Sequence, residues 1–83
     1  MAHYVYILRS QNDKARLYIG TTEDVDARIR EHNQGKSGYT NIYKPWELET
    51  SISFKNKELA QSFERYLKSG SGHAFLKKRL LPG

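Results

Sequence analysis

Two short runs near the start of this chain constrain its fold most, Tyr4-Val5-Tyr6-Ile7-Leu8 and Leu17-Tyr18-Ile19-Gly20. Both are rich in aromatic and β-branched residues and both are bounded by polar turn formers, which is the composition of strands. Between them, Ser10-Gln11-Asn12-Asp13-Lys14 carries an Asn-Asp pair that tolerates a tight reversal. The two runs therefore predict a β-hairpin. Side chains alternate along a strand, so Tyr4, Tyr6 and Leu8 share one face, and Tyr18 shares a face of the partner with Gly20. If those faces match in register, Tyr6 and Tyr18 stand side by side and Gly20 leaves the approach to them open. A platform of paired hydroxyls is a first candidate site.

The following residues predict cover for that hairpin. Thr21-Thr22-Glu23-Asp24 reads as a helix start, with a hydroxyl cap and then two acids at the positive end of the helix dipole. The helix is expected to run to about Asn33, with Gly35 as its stop. Val25, Arg28, Ile29 and His32 fall at i, i+3, i+4 and i+7, on one face. Two are apolar, whereas the other two are an arginine and a histidine where core residues are expected. Arg28 can snorkel along the edge of such a stripe. Both groups together, facing a tyrosine pair, point towards function.

From Gly35 to Pro45 no periodicity is clear, and the stretch reads as a long loop or a short helix. It offers Lys36, Tyr39, Tyr43, Lys44 and several hydroxyls, side chains of the kind that hold a sugar–phosphate backbone. Trp46, Leu48, Thr50, Ile52 and Phe54 then alternate with polar residues, which predicts a half-covered strand pairing with the hairpin. Asn56 caps a second helix, expected through about Ser69 with Gly70 at its end. Leu59, Phe63, Tyr66 and Leu67 form its expected apolar stripe. Glu64 lies against that stripe, as one half of an exposed pair with Lys68 or as a carboxylate partnered by another cation or a metal. Both readings stay open. Ser69-Gly70-Ser71-Gly72 breaks the helix, and Ala74 to Leu81 restart a short one whose Lys77, Lys78 and Arg79 form a solvated face or a phosphate-contacting rim.

Composition narrows the function. The chain has 83 residues, enough for one modest core, and residues 1–83 read as a single domain. It has no cysteine, which excludes disulfides, thiolate zinc sites and cysteine nucleophiles. No apolar run approaches membrane-spanning length, and Met1-Ala2-His3 leads straight into a strand. No membrane partner is expected, and the default compartment is the cytoplasm. Fourteen Lys and Arg against nine Asp and Glu give a net charge of +5, which favours a polyanionic partner, nucleic acid first.

The ordered set of Tyr4-Val5-Tyr6, Leu17-Tyr18-Ile19-Gly20, Arg28, His32 and Phe63-Glu64-Arg65-Tyr66-Leu67-Lys68-Ser69-Gly70-Ser71-Gly72 resembles the GIY-YIG nuclease superfamily. Within it, the chain is similar to small single-domain proteins related to the N-terminal endonuclease domain found in excinuclease ABC. The first motif departs from the family pattern, with Tyr-Val-Tyr in place of Gly-Ile-Tyr. The asparagine that many such nucleases carry downstream of the glutamate is also missing. The corresponding stretch offers Ser69, Ser71 and His73.

The resemblance implies an α+β fold, a small three-stranded antiparallel sheet flanked by helices. It also implies a phosphodiester hydrolase using one divalent cation, Mg²⁺ or Mn²⁺, with repair or recombination of DNA as the setting. Matched residue by residue, Tyr6 and Tyr18 are the motif tyrosines, Arg28 contacts the scissile phosphate, His32 holds a position of His or Tyr, and Glu64 binds the metal. Tyr18 is then a candidate to activate water, although a free tyrosine with a pKa of about 10 is a poor base without nearby cations. In the other version Tyr18 only positions the water and His32 takes the proton. The residues expected to meet nucleic acid, DNA before RNA, are Arg28, Lys36, Tyr39, Lys44, Lys68, Lys77, Lys78 and Arg79. The alternatives are a binding module of the same fold with weak or no catalysis, and a nuclease that depends on a protein partner for targeting.

Overall fold

The computed structural model describes residues 2–35 and 38–81. Three strands, β1 (His3–Ser10), β2 (Leu17–Thr22) and β3 (Trp46–Phe54), form one antiparallel sheet in the order β2-β1-β3. The helices are α1 (Val25–Asn33), α2 (Gly38–Tyr43), α3 (Lys57–Leu67) and α4 (Gly70–Phe75), and a π-helical segment Leu76–Leu80 follows. This is the expected α+β architecture, with α1 packed on one face of the sheet and α3 on the other. The central position of β1 explains why Val5, Tyr6, Ile7 and Leu8 are all buried, a run that a strand covered on one face would not show.

The hairpin forms with Tyr6 opposite Gly20 and Leu8 opposite Tyr18. Tyr6 and Tyr18 are therefore diagonal neighbours on one face, not directly opposed, with ring centroids 6.1 Å apart. Gly20 does more than leave an approach open. A Cβ there would lie 2.7 Å from the Tyr6 hydroxyl oxygen and 3.0 Å from the Tyr18 ring, so the missing side chain is the space the two tyrosines occupy.

The third strand departs from the expected pattern. Ile7 pairs with Thr50 but Leu8 pairs with Leu48, so Glu49 is an extra residue and the alternation changes phase there. Trp46 and Leu48 consequently face α1, while Ile52 and Phe54 face α3 (as their partners Val5 and His3 do). The five residues expected on one buried face are split between two, because the bulge resets a period-two pattern. The Glu49 carboxylate accepts from Arg9 Nε at 3.0 Å.

The helices keep their expected places with shifted ends. Asp24, not Thr21 or Thr22, caps α1, and its side chain accepts from the Ala27 N–H at 3.0 Å. Gly35 follows the helix at φ +78°, as a C-terminal stop. Asn56 caps α3 as expected, accepting from the N–H groups of Glu58 and Leu59. The buried stripe of α3 is Ala60 and Leu67 with Phe63 beside them, whereas Leu59 is 60% exposed and Tyr66 is 42% exposed. Gly70 opens α4 instead of closing α3, because Ser69 ends one helix and caps the next by accepting from the Gly72 N–H. Gly72 is required there, since a Cβ would overlap the Tyr66 carbonyl oxygen where α4 crosses the end of α3.

Candidate active site

The face of the sheet beneath α1 gathers polar groups that an ordinary core would exclude. β1 supplies Tyr6, β2 supplies Tyr18, and the inward stripe of α1 supplies Arg28 and His32. The stripe places them there because Val25 and Ile29, on the same side, pack against Tyr6, Leu8 and Trp46. Tyr6 is fully buried and His32 is 1% exposed, and the Tyr6 hydroxyl and His32 Nε2 are 2.9 Å apart. The Tyr18 and His32 rings lie 4.6 Å apart at an interplanar angle of 57°. Arg28 and Tyr18 also hydrogen-bond with the Tyr6 hydroxyl. Four of the five expected catalytic residues thus form one cluster.

Burial and charge set the protonation of this cluster. Burial pushes the Tyr6 phenol up to about 12, against a smaller opposing pull from the Arg28 hydrogen bond, so Tyr6 stays neutral. His32 is held below its ordinary value, first by burial and then by the nearby Arg28 charge, so it too is neutral at pH 7. Its Nδ1 is buried without a hydrogen-bond partner. A bare ring nitrogen costs less to bury unpaired than an N–H does. The proton therefore belongs on Nε2, which donates to the Tyr6 oxygen.

Arg28 is pushed further up, chiefly by its hydrogen bond to Glu31, and remains a fixed cation. Its Nη1 donates to Glu31 Oε1 at 2.7 Å. Glu31 escaped the sequence reading. Its i,i+3 spacing from Arg28 was the available signal.

Glu64 stands apart from the four. It projects from α3 with its side chain 21% exposed and accepts from Lys68 Nζ at 2.9 Å, so the i,i+4 pair foreseen in the sequence forms. The connection to the tyrosines is an open groove of about 420 Å³ lined by Leu17, Tyr18, Ile19, Tyr39, Lys68 and His73. Tyr18 belongs to both the cluster and the groove, and Lys68 to both the groove and the Glu64 pair. His73, from the stretch that lacks the family asparagine, lines the same groove. Lys44 is exposed beyond α2, and Lys77, Lys78 and Arg79 are exposed on the C-terminal π-helical segment. Lys36 lies outside the described residues. No described helix is long and apolar enough to cross a membrane.

Residues 2–78 match the sequence model of the GIY-YIG catalytic domain. A UPF0213 protein of Halalkalibacterium halodurans is 41% identical over 69 residues, covering 82% of this chain and 71% of the relative. A UPF0213 protein of Staphylococcus haemolyticus is 38% identical over 76 residues, 90% of each chain. Among solved structures, the solution NMR structure of a UPF0213 protein from Bacillus halodurans aligns with a TM-score of 0.58 at 35% identity, over 99% of this chain and 89% of that one.

Proposed function

This chain belongs to the GIY-YIG catalytic domain family, and on that premise we propose that it hydrolyses phosphodiester bonds of nucleic acid, DNA before RNA, with one Mg²⁺ or Mn²⁺ ion. The observation that carries the proposal is the meeting of Tyr6, Tyr18, Arg28 and His32 beside a groove whose far side holds the Glu64–Lys68 pair. Repair or recombination is the setting, either alone or with a partner that supplies targeting.

A hard cation of this kind is held by one or two carboxylates, with waters and phosphate oxygens completing its shell. Glu64 fits that demand as a single, partly exposed carboxylate, and the described residues form no group of three or more His, Cys, Asp or Glu that would make a protein cage. Once bound, the ion supplies positive charge to the phosphate and to the leaving oxygen.

The chain's own residues divide the remaining work. Arg28 faces the developing negative charge, and Glu31 and Tyr6 hold its guanidinium so that little reorientation is needed. Tyr18, partly exposed at the groove, orients the attacking water. Tyr6 and His32 are covered, so they are positioning residues that act through Arg28 and Tyr18.

A second reading draws on one observation, that the Glu64 carboxylate is already engaged by Lys68. In that reading the fold binds nucleic acid without cutting it. A cleavage assay on single-stranded, duplex, flapped and branched substrates decides between them. The expected result is metal-dependent cutting that Glu64→Ala abolishes and Tyr18→Phe reduces. Absence of cutting on every substrate, with salt-sensitive binding retained, would overturn the enzyme and leave the binding module.

A further inference from the structure

A row of aromatic rings runs from the site towards solvent. Tyr18 is 6.4 Å from Tyr39, and Tyr39 is 5.2 Å from Tyr43 and 6.2 Å from Trp46. Trp46 is buried, and its indole N–H donates to the Thr40 carbonyl at 2.8 Å, which ties α2 down over β3. Tyr39 on the same helix is 43% exposed and forms a wall of the groove. Leu17 and Ile19 add apolar surface, and Lys68 and His73 bring N–H donors. The groove is thus aromatic and aliphatic in one part and phosphate-binding in another. At about 420 Å³ it falls within the roughly 300–1,000 Å³ of small-ligand sites.

That combination suits one occupant chemically. A nucleobase has an apolar face that stacks on a tyrosine ring, and the phosphate attached to it takes hydrogen bonds from an ammonium and an imidazole. The net charge of +5 favours such an anion over an uncharged peptide. In a continuous duplex both faces of each base are covered by its neighbours, so only a base outside the stack can lie on Tyr39. We propose that the groove takes one unpaired nucleotide, its base on Tyr39 and its phosphate at Lys68 and His73, so that the substrate is a strand with unpaired nucleotides at the site and not intact duplex. Tyr39 and His73 are then specificity determinants placed next to Tyr18. The inference rests on the nucleic-acid reading of this site and deepens it.

Fluorescence anisotropy in EDTA measures binding of a labelled oligothymidylate and of a blunt duplex of equal length, with cleavage in Mn²⁺ followed in parallel. Tyr39→Ala is expected to weaken single-strand binding by about tenfold while changing duplex binding by less than about twofold. Tyr39→Phe is expected to keep the affinity, and Lys68→Ala to flatten its salt dependence. Equal loss for both ligands, or no loss for the single strand, would overturn the proposal. If Tyr39→Ala fails to fold by circular dichroism, Tyr39→Leu replaces it, keeping apolar bulk without a ring. Tyr39-dependent binding without cutting would remove the hydrolase reading and leave this inference standing. Cutting without Tyr39 dependence would do the reverse, and absence of binding to either ligand would overturn both.

Discussion

The two faces of β1 are made by one strand yet differ in chemistry. Towards α3, Val5 and Ile7 meet Ala60, Leu67 and Leu76, with Phe54 and Phe63 alongside. Towards α1, Tyr6 and Leu8 meet Trp46 with Tyr18, Val25 and Ile29, and the Tyr6 hydroxyl is bonded to His32. The α3 face is an ordinary apolar core, where full burial of a side chain such as Leu67 contributes about 1.5–3 kcal/mol. The α1 face buries a phenol and an imidazole against each other and leaves an arginine at its edge. The pleat of one strand thus separates stabilising residues from chemical ones, so mutations on the two faces should have separable effects.

The largest expected effect breaks the apolar face. Leu67→Ala should lower stability by about 2–5 kcal/mol in urea denaturation, with the folded fraction still active. Arg28→Ala tests the other face. It should cost about 10²- to 10³-fold in cleavage rate under single-turnover conditions. Its effect on stability should stay below about 1 kcal/mol, since the Arg28–Glu31 pair is well exposed.

The pH dependence of stability should belong to the α1 face alone. The folded-state value of His32 is depressed, so the unfolded chain binds the extra proton first, and stability should fall as pH drops below about 6.5. Tyr6 is raised to about 12, so its contribution is complete below the unfolded value of about 10 and is lost as pH climbs from there. Urea midpoints across pH should show the acid loss diminished in His32→Gln and the alkaline loss diminished in Tyr6→Phe, with Leu67→Ala retaining both. The smallest effect is expected at Leu59→Ser, within about 0.5 kcal/mol of wild type, because that side chain faces solvent. A larger loss would mean that Leu59 contributes to the α3 face after all.

Much of the α1 face was legible in the sequence. The spacing of Val25, Arg28, Ile29 and His32 places them on one side of a helix, and Gly20 within an aromatic run marks a close approach. The groove was not legible in the same way. Tyr39, Lys68 and His73 come from three separate stretches of chain and meet Tyr18 only through packing. The stripe through Leu59 departs from expectation because the 3.6-residue period fixes which residues share a side, whereas the docking angle on the sheet selects which of them is covered.

What the chain determined locally were its periods and punctuation: the hairpin runs, the inward side of α1, the Asn56 cap and the turn at Gly35. These follow from backbone sterics and short-range hydrogen bonds, which act within a few residues. The tertiary structure alone decided the phase of β3, because the extra residue at Glu49 is visible only against its partner strand. It also decided that Tyr6 and His32 lie covered while Tyr18 and Arg28 reach the surface. Depth depends on what packs above a side chain, and the groups that do so here are distant in sequence.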